Sequence, residues 1–183
     1  MRAAALLACA LALSGFAAPP LTVRDIDGRA WTPLEPKAGE IHLLVFIASD
    51  CPISNRYAPE IDRIAASYRA KHVQTFLLYT DAKMADSAAR ASAREFHPDT
   101  SATIVVDQEL RMAKAVQAAV IPEAVIFTAG GRAYRGRIDD LYVSAGQSRR
   151  AATKHDVRDA LDAVLGGKPV PQAETKAVGC YIQ

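Results

Sequence analysis

Three cysteines and four histidines are the residues of this 183-residue sequence whose types invite a chemical reading. The cysteines, Cys9, Cys51 and Cys180, are too few for a disulfide scaffold. They also lack the close or paired spacing of a zinc site. Cys51 has the most informative surroundings. The apolar run Ile41 to Ile47 (IHLLVFI) before it reads as a strand buried on both faces. After it, Ile53, Tyr57, Ile61, Ile64 and Tyr68 recur at the spacing of one helix face. Cys51 is therefore expected in a strand-to-helix turn. Unpaired backbone N–H groups and the helix dipole favour the thiolate there, the form that attacks disulfides and peroxides. Asp50, its neighbour, opposes that effect. His42, His72, His97 and His155 share no ligand spacing with each other or with the cysteines, so each reads as a core or surface histidine and no metal is assigned.

The elements that must hold Cys51 in place are legible on both sides of it. Leu21 to Leu34 reads as an edge hairpin turning at Asp27-Gly28, with Trp31 as a packing residue. Val73 to Tyr79 is a second strand, Ala85 to Phe96 a helix ended by His97-Pro98, and Ala102 to Val106 a third strand. Asp107 is expected to cap a helix whose apolar face includes Leu110, Ala113 and Val116 or Ala119. Ile121 to Phe127 is a strand entered through Pro122, Gly130-Gly131 a hairpin turn, and Ala133 to Ile138 the return strand. Thr153 with Asp156 three residues on marks a capped helix start, Val157, Leu161, Val164 and Leu165 its face, and Gly166-Gly167 its end. No internal repeat or linker divides the chain.

Composition sets the class. Half of the residues are hydrophobic and 23% are charged, which suits one globular domain and excludes a disordered, collagen-like or coiled-coil chain. The net charge is +2, from 22 Lys and Arg against 20 Asp and Glu. These are interspersed, so no basic stripe points to nucleic acid or to anionic lipid. Residues 1–17 resemble a secretory signal peptide: Arg2, an apolar stretch from Ala3 to Leu13, then Gly15-Phe16-Ala17. The stretch is shorter than the roughly 20 residues of a spanning helix, so no stable membrane insertion is expected after cleavage. Leu6-Leu7-Ala8-Cys9 also resembles a lipoprotein processing box, with few residues before Cys9. Removal of the peptide takes Cys9 with it and leaves Cys51 and Cys180 in an oxidising compartment, periplasmic or secreted.

The element order, with a cysteine at the first strand-to-helix turn and a proline opening the penultimate strand, resembles the thioredoxin-like arrangement. Phe46 to Ser54 (FIASDCPIS) is similar to the redox-active segment of thioredoxin-like proteins, and Ile121-Pro122 to their cis-proline loop. Tyr134 to Asp140 (YRGRIDD), Gly166 to Pro171 (GGKPVP) and Val178-Gly179-Cys180 look like the peroxiredoxin-like branch of the redoxin (AhpC/TSA) proteins. The match spans Leu21 to Ile182. It implies an α/β thioredoxin-like fold: a central mixed sheet flanked by helices, an N-terminal hairpin, a domain over 18–167, and an extended C-terminal tail over 168–183 carrying Cys180. A cis-Pro122 would align the Ile121 backbone beside the sulfur to pair with an extended substrate.

Two departures shape the implied chemistry. The second cysteine of the thioredoxin Cys-x-x-Cys is Ser54 here, so Cys51 must find another partner. The Pro and Thr or Ser that peroxiredoxins place seven and three residues before their reactive cysteine are Leu44 and Ala48. Cys180, on a proline-containing tail able to fold back, is the natural resolving thiol. The expected function is an extracytoplasmic thiol–disulfide oxidoreductase or peroxiredoxin-like thiol peroxidase without cofactor, acting on a protein disulfide, thiol reductant or peroxide. Arg56 and Arg137 are candidates to stabilise a thiolate or bound peroxide, and Glu123 to relay a proton. The alternatives are a permanent Cys51–Cys180 staple, worth roughly 5 kcal/mol on a chain-entropy treatment, an intermolecular bridge or free thiol, or a non-catalytic module that binds Cu(I) or a protein partner.

Overall fold

The computed structural model describes residues 19–183, so the signal-peptide and Cys9 readings lie outside the described residues. In chain order the elements are β1 (Val23–Arg24), β2 (Ala30–Trp31), β3 (Ile41–Ile47), α1 (Pro52–Arg69), β4 (Val73–Tyr79), α2 (Asp86–Phe96), β5 (Thr103–Val106), α3 (Arg111–Val116), β6 (Val120–Ile121), β7 (Glu123–Thr128), β8 (Gly131–Gly136), β9 (Tyr142–Ser144), β10 (Gln147–Ser148), α4 (Asp156–Leu165) and β11 (Cys180–Tyr181). Five strands form the central sheet in the order β5-β4-β3-β7-β8. β3, β4 and β5 run parallel, while β7 and β8 are antiparallel to their neighbours, so the sheet is mixed.

Side-chain alternation on β3 divides the core into two layers. Leu43, Val45 and Ile47 face Tyr57, Ile61 and Ile64 of α1, Ala89 of α2, and Val157 and Leu161 of α4. Leu44 and Phe46 face the other way, into a cluster with Phe76, Leu78, Met112, Val116, Ile121 and Cys51. Every residue of β3 is buried, His42 included, as its near-continuous apolar run demands. Each such Leu, Ile or Phe stabilises the fold by about 1.5–3 kcal/mol. The β1–β2 hairpin lies beside β5 through an Asp25–Val105 bridge, and Trp31 packs edge-on to Phe76 with ring centroids 5.4 Å apart.

Two helix starts differ from the sequence reading. Asp107 does cap α3, accepting the amides of Met112 and Ala113 at 2.8 Å each. The helix nevertheless begins only at Arg111, because Glu109 and Leu110 are left-handed at φ 58° and 56°. Leu110 thus stands before the helix, still packed against the core, and Ala119 lies beyond it; the buried residues of α3 are Met112, Ala113 and Val116. Thr153 does not cap α4. Its amide and hydroxyl both donate to Asp140 at 2.6 Å, and α4 starts at Asp156, whose carboxylate pairs with Arg137 at 2.8 Å. A buried carboxylate with strong local donors outcompeted the short capping motif.

Candidate redox site

Cys51 is the residue immediately before α1, with extended backbone angles (φ −91°, ψ 110°), and Pro52 occupies the first helical position. Proline suits that position because its missing amide would have no intrahelical acceptor. The turn is clasped on both sides. The Cys51 amide donates to the Ala48 carbonyl at 3.4 Å, the Asn55 amide donates to the Cys51 carbonyl at 3.0 Å, and the Asn55 side chain donates to the Ser49 carbonyl at 2.9 Å. No acidic residue lies in the first turn of α1, so nothing on the helix itself opposes a thiolate at its positive end. Cys51 is only 2% exposed.

Its sulfur is bonded to that of Cys180, with the two Cα atoms 6.3 Å apart and a sequence separation of 129. Two further features hold that contact. The Ile121–Pro122 peptide bond is cis, and the Ile121 carbonyl oxygen stands 3.6 Å from the Cys51 sulfur. The tail pairs with β6 as an antiparallel strand, Cys180 opposite Ile121 and Tyr181 opposite Val120, and the Ile182 amide donates to the Ala119 carbonyl at 3.1 Å. Before reaching β6 the tail borders β8: the Arg135 amide donates to the Ala173 carbonyl at 2.9 Å and the Thr175 amide to the Arg135 carbonyl at 3.0 Å. The tail therefore covers one sheet edge and then crosses to the disulfide.

An open cleft of about 370 Å³ beside the disulfide is lined by Asp50, Cys51, Thr80, Asp81, Ile121 and Cys180, among others. The remaining residues singled out in the sequence are placed as follows. Ser54 is 2% exposed, and its hydroxyl has no hydrogen-bond partner among the described residues. Arg56 is exposed on α1 and does not line the cleft. Glu123 is buried, accepting Arg135 Nε at 2.8 Å and the Ala119 amide at 3.1 Å, so its carboxylate braces β6 and β8. Arg137 is committed to Asp156 on the α4 side of the sheet. The structure thus brings Asp50, Cys51, Ile121, Pro122 and Cys180 together, and leaves Arg56 and Arg137 apart from them.

Sequence reasoning missed Ala119, Val120 and Gly179, whose backbone builds the tail's strand pairing, and Arg135, the partner of Glu123. Val178, Tyr181 and Ile182 around the cysteine are strand formers, and that was the available signal. Among the described residues, no group of three or more His, Cys, Asp or Glu side chains is placed to hold a metal ion. No described helix is long and apolar enough to cross a membrane.

No protein-family model and no curated protein matches the sequence. Solved structures do. An uncharacterized conserved protein from Geobacillus kaustophilus is 26% identical with a TM-score of 0.77, over 91% of this chain and 89% of that one. A hypothetical protein from Sinorhizobium meliloti 1021 is 24% identical with a TM-score of 0.74, over 90% of this chain and 91% of that one. A secreted Mycobacterium tuberculosis disulfide oxidoreductase homologous to E. coli DsbE is 16% identical with a TM-score of 0.52, over 80% of this chain and 95% of that one. With its mixed five-stranded sheet, the cysteine at the first strand-to-helix turn and the cis-proline facing it, the chain has a thioredoxin-like fold.

Proposed function

We propose that this protein is an extracytoplasmic thiol–disulfide oxidoreductase in which Cys51 is the nucleophile and Cys180 the resolving cysteine. The observation that carries the reading is the pairing of a cysteine at the N-terminus of α1 with a cysteine on a separate, strand-paired tail. In the reduced protein the Cys51 thiolate attacks a partner disulfide. One S–S bond breaks, a Cys51–partner bond forms, and the first partner thiolate leaves. The Cys180 thiolate then attacks the Cys51 sulfur, releases the second partner thiolate and closes the Cys51–Cys180 bond. Two electrons pass from the protein dithiol to the partner disulfide, and the released thiolates take protons from water. The reverse sequence oxidises a partner dithiol.

A peroxide is the other oxidant the resemblance suggests. Cys51 would be oxidised to a sulfenic acid with release of an alcohol or water, and condensation with Cys180 would expel water. Leu44 and Ala48, both buried and apolar, supply no hydroxyl for binding a peroxide, which favours disulfide exchange. The signal-peptide reading of 1–17 and the secreted disulfide oxidoreductase among the structural neighbours support the compartment. The burial of Cys51 favours a second reading, a permanent staple.

Differential alkylation and mass spectrometry of the mature protein, before and after a stoichiometric disulfide or peroxide challenge, separates these. A Cys51–Cys180 bond opened by a mild dithiol and restored by a disulfide supports exchange. Restoration by peroxide alone shifts the assignment to thiol peroxidase. A bond that resists mild dithiols identifies a staple, and Cu(I) retained by the reduced protein but not by Cys51→Ser identifies a metal-binding module.

A further inference from the structure

The tail sits on β6 as an extended strand with its cysteine bonded to Cys51, and so has the geometry that a bound polypeptide partner would have in the mixed disulfide. Gly179 lies at the tightest point of that strand. Its backbone is outside the left-handed region, so glycine is not there to satisfy a turn. A Cβ at Gly179 would land on the Ile121 carbonyl and stand 3.1 Å from the Pro122 nitrogen. Neither group can retreat, because Ile121 is packed into the core at 4% exposure and Glu123, next along, is held by Arg135. Any chain that places a cysteine opposite Ile121 in this register meets the same wall one residue before that cysteine.

We infer that the groove beside β6 accepts, in place of its own tail, an extended polypeptide segment in which glycine immediately precedes the exchanging cysteine. This rests on the reading of Cys51 as an exchanging thiol and adds the substrate class. The Cys51 thiolate attacks the cysteine sulfur of such a Gly-Cys segment while the segment pairs with Val120 and Ile121; the segment's S–S bond breaks, a Cys51–segment bond forms, and the thiolate formerly bonded to that cysteine leaves. The returning tail then does two things together. Its Cys180 thiolate displaces the partner's sulfur from Cys51, and its backbone takes over the hydrogen bonds of β6, so the product loses its covalent and its strand attachment in one event.

The test uses the Cys180→Ser protein with Cys51 reduced, and two peptides, Val-Gly-Cys-Tyr-Ile and Val-Ala-Cys-Tyr-Ile, each capped and presented as a disulfide with thionitrobenzoate. Release of the coloured thiol gives the rate, and mass spectrometry locates the adduct on Cys51. The glycine peptide is expected to react at least tenfold faster than the alanine peptide. Equal rates overturn the glycine requirement while leaving exchange intact. If the symmetrical thionitrobenzoate disulfide reacts and neither peptide does, the groove is not a peptide site. If that small disulfide also fails at Cys51, the redox reading falls with it. A measurement on the full chain guards against misfolding of the variant. In glutathione buffers, Gly179→Ala is expected to shift the Cys51–Cys180 equilibrium toward the dithiol at least tenfold, and an unchanged equilibrium overturns the inference.

Discussion

The Ser54 hydroxyl and the Asp140 carboxylate represent opposite treatments of a buried polar group. Ser54, in the first turn of α1, has no partner for its hydroxyl among the described residues, and an unsatisfied buried hydroxyl costs about 1–3 kcal/mol. Ser54→Ala in the oxidised protein should therefore stabilise by about 1 kcal/mol, helped by the better helix propensity of alanine. A lower urea midpoint for the variant would show that the hydroxyl is bonded after all. Asp140 instead accepts the Thr153 amide and hydroxyl and the Lys154 amide, with Arg149 3.3 Å away. The bonds from Thr153 above all hold its carboxyl well below the usual carboxylate range. A lowered native pKa means that the unfolded chain takes up its proton first. The stability from Asp140 is thus complete above its unfolded value of about 4 and is lost as pH falls toward the depressed native one. Urea midpoints at pH 6 and pH 3 should differ more for the wild type than for Asp140→Asn, and equal pH responses would refute the assignment. Cys51 was legible at this scale because periodicity on either side marks its strand-to-helix turn, and Pro122 because Ile121-Pro122 resembles a cis-proline loop. The environment of Ser54 was not, since a missing partner is a property of the surroundings and not of the residue.

Among the elements, β3, β4 and α1 agree with the sequence reading to within a residue or two, because each carries a largely apolar run or a full helical stripe. The starts of α3 and α4 were misread where side-chain hydrogen bonds and left-handed residues, not periodicity, decide the boundary. The sequence reading ran Ile121 into a single strand to Phe127, whereas Ile121 ends the separate two-residue strand β6, and β11 was not read as a strand. Each is too short to show alternation, and each exists only because the other completes its hydrogen bonds. The tail's path along β8 gives a prediction of the same kind. Gly136, at φ 149°, lies against the Thr175 backbone and hydroxyl, so a Cβ has neither the backbone freedom nor the space. Gly136→Ala should cost at least about 2 kcal/mol, the order of a strained non-glycine conformation plus displacement of Thr175. It should also speed proteolysis within 168–183. A tail as resistant as in the wild type would mean that this edge does not anchor it.

For the molecule as a whole, the Cys51–Cys180 bond joins the central sheet's first helix to the tail and constrains a loop of 129 residues in the unfolded chain. That constraint is worth about 5 kcal/mol in the chain-entropy treatment, a large share of the 5–15 kcal/mol typical of a domain. Unfolding by urea with and without a strong reductant should therefore give midpoints well apart. Superimposable curves would mean that the bond contributes nothing to the native state and serves exchange alone. The separation in sequence also sets an order in time. On a ribosome adding roughly 5–20 residues per second, Cys51 is made on the order of ten seconds before its partner. For part of that interval β3, α1 and β4 are complete while β6, which shields the sulfur, is still to come, and the tail, which bonds it, comes last of all. Nascent chains therefore carry a lone thiol at a helix N-terminus, where the thiolate is favoured. It is during biosynthesis, before the fold is complete, that this cysteine is most open to capture by the wrong partner.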